Sequence, residues 1–393
     1  MVSGCRAMSK QRLRFALVAL LTAVMLISLP MLATLATDRL LPQAPMPSTQ
    51  PPLTIAQSPS SATNLPNVVI LATGGTIAGT GATSTTTAGY QAAKLPVSSL
   101  INAVPELKKI ANVTGEQVLQ VASEDMTNAG LLKIAKRVNA VLAKPDVAGV
   151  VITHGTDTIE ETAYFLNLVT KSQKPVVIVG AMRPATALSA DGPLNLYNAV
   201  AIAGSPAAVG KGVLVSLNDQ ISAAREVTKT NTTSLNTFQA PDMGYLGYVE
   251  LGKPYFYRTP TRKHTVDTPF RVDSLTQLPQ VDIIYGYENN SPALLNAAIA
   301  DGAKGIVYAG TGDGSISVQL EPAAIAAVKK GVIIARSSRT GSGRVVRNGE
   351  EKDDENGFIV ADNLNPQKAR ILLMLGLTIT NDRKALQEMF YTY

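Results

Sequence analysis

The sequence predicts an α/β protein: a larger N-terminal domain built on a mainly parallel sheet, then a smaller flavodoxin-like α/β domain. Three observations predict it. From Asn67 onward, short runs rich in Val, Ile and Leu alternate with helical patterns about a dozen residues long or longer, the mark of strand–helix–strand units. That alternation breaks once, over 258–279, and then resumes. The chain has 393 residues, 46% of them hydrophobic, enough to fill the core of two domains.

The chain begins differently. Residues 1–36 carry a basic start, Lys10-Gln11-Arg12-Leu13-Arg14, then an apolar stretch from Phe15 to Ala36. This reads as an export signal or, if uncleaved, an N-terminal anchor. The basic flank puts the bulk of the protein outside the cytoplasm, periplasmic or secreted. A membrane is a partner only if this segment stays attached. Residues 37–66 hold seven prolines with many Ser, Thr and Gln, a composition that buries little and reads as a disordered linker.

The N-terminal α/β domain is predicted over 67–257. Val68–Ala72, Gln117–Ala122, Val147–Thr153, Pro175–Gly180 and Gly212–Leu217 read as strands, and Val97–Ala111, Asn128–Ala143, Asp157–Lys171 and Pro193–Gly204 as helices. The stretch 258–279, with Pro260, Pro269 and little periodicity, reads as an interdomain linker. The C-terminal domain, 280–393, has strands at Val281–Tyr287, Gly305–Ala309 and Val332–Ser337. Its helices open at Ser291-Pro292 and run over Pro322–Lys330, and Asn365-Pro366 opens a last one.

Composition excludes several functions. The net charge is +6, but Arg6, Lys10, Arg12 and Arg14 fall in the first 36 residues, which hold no acid, so the rest carries only +2. No basic cluster there would track a phosphate backbone, so nucleic acid is not an expected partner. Cys5 is the single cysteine and His154 and His264 the only histidines, which rules out an intramolecular disulfide and argues against zinc. No cofactor and no metal are expected.

Four stretches carry candidate chemistry. In Ala72-Thr73-Gly74-Gly75-Thr76-Ile77-Ala78-Gly79 a strand breaks at two glycines, and Thr76 lies just past the break. Thr80 stands where a phosphate loop needs lysine, and G-x-G-x-x-G is absent, so nucleotide binding is the weaker reading. In Thr153-His154-Gly155-Thr156-Asp157-Thr158-Ile159-Glu160-Glu161 a strand runs straight into a helix. Asp157 and Thr158 have N-cap spacing to Glu160 and Glu161, so plain capping competes with a catalytic Thr156 and a substrate-binding Asp157. Lys229, in Glu226-Val227-Thr228-Lys229-Thr230-Asn231, is either a solvated surface residue or a buried lysine beside a hydroxyl, able to act as a base. Ser123-Glu124 either turns the chain or reads a polar substrate.

Together these stretches resemble the bacterial type II L-asparaginases and the related glutaminase-asparaginases. Ala72–Gly79 is similar to the family's first signature and Thr153–Ala163 to its second. Gly180-Ala181-Met182-Arg183-Pro184, Ser189–Leu196, Glu226–Asn231 and Leu364-Asn365-Pro366-Gln367-Lys368-Ala369-Arg370 extend the match over roughly Pro66 to Tyr393. The resemblance implies hydrolysis of L-asparagine to L-aspartate and ammonia, with L-glutamine as a secondary substrate. It implies Thr76 as nucleophile, Tyr90 on a mobile lid, and Thr156, Asp157 and Lys229 as a second catalytic set. Ser123, Glu124 and Asp157 would bind the amino acid. Asn289 and Glu351 (or its neighbour Glu350) would be lent to a neighbouring subunit in a homotetramer of intimate dimers. Glu124 replaces the Gln of some members, a change that accompanies glutaminase activity, and the cysteine pair of some members is missing. Both an acyl-enzyme and direct displacement by water fit these residues. A secreted amino-acid-binding protein would need Asp157 and Ser123 but not the trio Thr76, Thr156 and Lys229.

Overall fold

The computed structural model describes residues 65–393. The segment 1–36 and almost all of the 37–66 linker lie outside the described residues. Five strands form the parallel part of the larger sheet: β1 (Asn67–Gly74), β2 (Asn112–Val121), β3 (Val147–Thr153), β4 (Val176–Val179) and β5 (Val213–Leu217). Their spatial order is β5-β4-β3-β1-β2. Three short antiparallel strands extend it beyond β5: β6 (Gln220–Ala223), β9 (Gly247–Glu250) and β10 (Lys253–Phe256). A separate two-residue ladder joins β7 (Thr228–Lys229) to β8 (Phe238–Gln239).

The smaller sheet is parallel throughout, in the consecutive order β11 (Val281–Tyr285), β12 (Gly305–Gly310), β13 (Ile333–Ser338) and β14 (Ile359–Val360). Helices cover both faces, as in a flavodoxin-like layer arrangement, although the consecutive order lacks the reversal of a 2-1-3-4-5 sheet.

Alternation along the strands decides which core each residue enters. Val68, Ile70, Val177 and Val179 face α1 (Val97–Asn102) and α4 (Gly192–Ala203). Leu71, Val150, Ile152 and Ile178 face α2 (Asn128–Leu142) and α3 (Ile159–Val169). That second core does not stop at the domain. It runs on through α8 (Pro366–Gly376) to Val307, Ile333 and Ala335 of the smaller sheet. On the outer face of that sheet, α5 (Ala293–Ala300) and α6 (Glu321–Lys329) close a third cluster. The short α7 (Asp353–Asn356) leads into β14, and α9 (Arg383–Thr392) packs against it.

Several elements differ from the sequence expectation. The helix expected over Val97–Ala111 stops at Asn102, and Pro105 starts a separate 3₁₀ turn. Proline has no N–H to donate and drives the residue before it, Val104 at φ −131°, out of helical geometry. β2 begins at Asn112, five residues early, because an edge strand tolerates the largely exposed run Asn112-Val113-Thr114-Gly115-Glu116. The hairpin strands β6, β9 and β10 were not anticipated. Their turns are Asn218-Asp219 and Leu251-Gly252, all four residues at positive φ, as two-residue hairpin loops require. The helix opened by Pro366 is not the last, since α9 follows with Asp382 accepting from the Ala385 N–H at 2.7 Å.

Candidate active site

Three parallel strands end at the same edge, and each hands the chain to a turn that bears a hydroxyl. After β1, Gly74 and Gly75 take φ of 111° and 82°, and Thr76 opens a single 3₁₀ turn. After β3 come His154, Gly155, Thr156 and Asp157. After β2 comes Ser123, at the head of another 3₁₀ turn. Ligands of open α/β sheets collect at this carboxyl edge.

Glycines set how closely these turns approach. A Cβ on Gly75 would lie 2.3 Å from the Gly155 Cα, and one on Gly155 would lie 2.5 Å from the Ser123 Oγ. The turns touch through hydrogen-only surfaces, which holds Thr76, Thr156 and Ser123 around one space.

The hydroxyls are wired separately. Thr76 Oγ1 and the Tyr90 hydroxyl are 2.7 Å apart and hydrogen-bonded. Tyr90 belongs to a loop tied back by Ala93 N–H to Gly75 O at 3.0 Å and Lys94 N–H to Ala78 O at 2.7 Å. Lys229 Nζ donates to Thr156 Oγ1 at 2.9 Å and to Asp157 Oδ1 at 2.6 Å. The Asp157 N–H donates to Ser123 Oγ at 3.3 Å, and the Thr158 hydroxyl donates to Ser123 O at 2.8 Å. These groups line a cleft of about 530 Å³, with Glu124 on its wall. Thr76 and Thr156 are almost covered, whereas 59% of the Asp157 side chain is open to solvent.

Capping does not account for the second stretch. Thr158 sits at the N-cap of α3 without a side-chain capping bond. Asp157 turns to Lys229, and Glu160 leaves the helix start altogether. Its Oε2 accepts the Lys229 N–H at 3.2 Å, and its Oε1 accepts from Asn365 Nδ2 at 3.3 Å. His154 is wholly buried, its Nδ1 donating to Gly155 O at 2.8 Å and its Nε2 accepting from the Thr162 hydroxyl at 2.9 Å. Burial lowers its pKa to about 4. It is a neutral brace under the Thr156 turn.

Asn289 and Glu351 do not join this cleft. Asn289 is exposed, at φ 55°, in the turn after β11. Glu351 lies in the loop after β13, where Oε1 accepts the Ile316 N–H at 2.6 Å and burial pushes its carboxyl above the usual value. That loop is anchored by an ion pair with no exposed surface. Arg336 Nε and Nη2 meet Asp353 Oδ1 and Oδ2 at 2.6 and 2.7 Å. The sequence reading missed this pair, Glu160 as an anchor, and Met182, Arg183, Thr232 and Thr233 in the cleft wall. Glu160 was visible only as part of a helix-start pattern. Arg336 had one cue, a charged residue inside an apolar strand.

The asparaginase N-terminal family model matches residues 67–262, and the glutaminase/asparaginase C-terminal domain model matches 280–390. The chain belongs to the asparaginase family. It is 56% identical to L-asparaginase 2 of Bacillus subtilis (strain 168) over 353 residues, covering 89% of this chain and 93% of that one. It is 53% identical to a glutaminase-asparaginase of Pseudomonas fluorescens biotype A over 339 residues, 86% of this chain and 93% of the relative. The crystal structure of a probable cytoplasmic L-asparaginase from Campylobacter jejuni superposes with a TM-score of 0.81 at 48% identity, covering 84% of this chain and all of the other. The larger and smaller sheet domains of this asparaginase-family chain follow that architecture.

Proposed function

We propose that this chain hydrolyses the side-chain amide of L-asparagine to L-aspartate and ammonia, with L-glutamine as a secondary substrate and Thr76 as the nucleophile. One observation carries the reading: two threonine hydroxyls on touching turns, one bonded to a tyrosine and the other to a lysine–aspartate pair. A binding protein needs the carboxylate of Asp157 but no such arrangement of hydroxyls.

An amide carbon is a poor electrophile and a threonine hydroxyl a poor nucleophile until its proton is taken. Asp157 and Ser123 meet the α-ammonium and α-carboxylate of the substrate, with Glu124 on the same wall. The side-chain amide then extends toward Thr76. As Thr76 Oγ bonds to the amide carbon, its proton passes toward Tyr90, the group already hydrogen-bonded to it. Backbone N–H groups of the glycine turns take the oxyanion, a role whose loss costs about 100- to 1000-fold per donor. Tyr90 relays that proton to the amide nitrogen, the C–N bond breaks, and the nitrogen leaves as ammonia, with the acyl group on Thr76 Oγ. Water, activated at Thr156 by Lys229, releases aspartate.

The site is completed in a homotetramer, with Asn289 and Glu351 supplied to the cleft of a neighbouring subunit. The exposed position of Asn289 outside its own chain's cleft supports this, and of the neighbours Glu350 and Glu351 it is Glu350 that is exposed, whereas Glu351 is bonded to the Ile316 N–H. Residues 1–36 export the protein to a periplasmic or secreted location, 37–66 act as spacer, and 258–279 join domains at 67–257 and 280–393.

The test is kcat/KM for asparagine and glutamine on residues 37–393, beside Thr76→Ala and Thr156→Ala. Each variant is expected to lose several orders of magnitude in ammonia release while still binding aspartate. Near-normal turnover in either would remove that residue's role, and no ammonia from the parent with either amide would remove the activity.

A further inference from the structure

Lys229 carries one of the two hydroxyl networks, yet it stands on a ladder only two residues long. Its ladder partners are Phe238 and Gln239, and just beyond them the Thr230 N–H donates to Thr237 O at 2.8 Å and the Asn231 N–H to Thr237 Oγ1 at 2.8 Å. So short a pairing does not hold a side chain at a fixed place. Within the larger domain the segment is also held at its ends, where Val227 is buried and donates its N–H to Ala223 O at 3.1 Å and Thr230 pairs with Thr237; between them, further groups hold Val227 O, Thr228 and the Lys229 N–H.

Two of these further groups come from the smaller domain. Lys368, on the first turn of α8, is 2% exposed, and its ammonium donates to the Val227 carbonyl. Asn365, at the N-cap of the same helix, accepts the Lys368 N–H at 3.0 Å. Its amide nitrogen reaches Thr228 Oγ1 at 3.4 Å and Glu160 Oε1 at 3.3 Å. Glu160 closes the circuit on the Lys229 N–H. All three residues of the segment are therefore held from outside their own strand.

Lys368 is an expensive way to fill this space. Burial holds its pKa below the ordinary lysine value, opposed by Glu160 and Glu226 nearby. An apolar side chain of the same length would avoid that desolvation cost. What an apolar side chain cannot do is hold a carbonyl of the Lys229 segment.

We propose that Lys368 and Asn365 are positioning residues, by which α8 of the smaller domain holds the Val227–Lys229 segment so that Lys229 stays on Thr156 and Asp157. The two domains then share the site within one chain: the larger supplies the reacting groups and the smaller sets the lysine. This rests on the assignment of Lys229 above, and the experiment separates the two.

Lys368→Met keeps an unbranched stem one heavy atom shorter and removes the donor. Steady-state ammonia release is measured for the parent, K368M and Lys229→Met, well below the midpoint of thermal unfolding of each. A misplacement of about 1 Å costs on the order of 100-fold in rate. The expected result is a folded K368M whose kcat falls fivefold or more while KM changes less. A residue that only supported stability would leave kcat per folded molecule in place. A folded K368M with a smaller fall in kcat, or with KM rising by more than kcat falls, overturns the proposal. If K368M does not fold, Asn365→Ser decides. Serine retains the helix cap and drops both amide donors, and kcat is expected to fall threefold or more. A smaller fall overturns the proposal. Near-parental activity in K229M would instead strike the assignment of Lys229, whatever K368M does.

Discussion

Gly75→Ala tests whether the contact between two turns sets the chemistry. The new Cβ would stand 2.3 Å from both the Cα and the N of Gly155, about 1 Å inside ordinary van der Waals contact. Those are backbone atoms, so no rotamer change relieves the clash. The Thr76 and Thr156 turns must separate by about that 1 Å, which on the order-of-magnitude scale for misplaced reacting groups costs about 100-fold in kcat. Backbone strain adds to instability, because Gly75 sits at φ 82° and ψ −172°, a region essentially reserved for glycine, where a side chain costs on the order of 1–3 kcal/mol. Gly210→Ala tests a positive φ without the clash. Gly210 has a comparable φ of 73° with no atom within 4 Å of its added Cβ, so it is expected to lose stability and keep its activity. The assay is ammonia release at saturating asparagine, with urea unfolding of both variants. A folded G75A with kcat within tenfold of the parent would refute the argument that the glycine contact positions the hydroxyls.

Three further outcomes follow from the same geometry. Tyr90→Phe removes the hydroxyl bonded to Thr76 and keeps the ring, so kcat is expected to fall about 100- to 10,000-fold with little change in KM; an active Y90F would take Tyr90 out of proton transfer. Arg336→Met leaves the Asp353 carboxyl without its cation partner where neither side chain meets solvent, and urea unfolding is expected to register a loss of about 3–5 kcal/mol. The double variant Arg336→Met/Asp353→Leu should lose less, and equal losses would show that the orphaned carboxyl is not the cause. His154 gives an acid limb to stability. The folded protein keeps it neutral down to pH about 4, whereas an unfolded histidine takes a proton from pH 6.5 downward. The unfolded state therefore binds more protons in that window, and the histidine's contribution, complete above pH 6.5, is lost as pH falls toward 4. At about 1.4 kcal/mol per unit this amounts to about 3 kcal/mol. Urea midpoints between pH 6.5 and 4 should fall less steeply in His154→Gln, and an unchanged slope would place the acid sensitivity elsewhere.

Much of the fold was legible because it is written in local periodicity. The strands at Val147–Thr153 and Val213–Leu217 and the helix from Asn128 are continuous apolar or amphipathic runs with clear ends, and neighbours in sequence are enough to define them. The hairpins after β5 were hidden because their strands are only four residues long. Their alternation is too brief to stand out. α9 was hidden for a different reason. It is polar overall, and its one buried stripe, Leu386 and Phe390, has meaning only once β14 is there to receive it.

The candidate site divides in the same way. Gly-Gly-Thr after a strand and His-Gly-Thr-Asp before a helix already place hydroxyls and a carboxylate at the carboxyl edge of a parallel sheet, because a strand's end and a helix's start are local events. The sequence by itself thus determined which side chains stand at that edge. It did not determine who holds them. Whether Asp157 caps a helix or pairs with Lys229 depends on a residue 72 positions away. Whether Glu160 is a helix-start acid or an anchor for the Lys229 backbone depends on Asn365, 205 positions on. The contact between Gly75 and Gly155 exists only because β1 and β3 are neighbours. These are relations between segments brought together by the sheet order and by one core shared across both domains. A one-dimensional pattern carries no information about them, because the free energy that decides them is the cost of leaving a buried charge or carbonyl without a partner, and the partner is chosen by the tertiary fold.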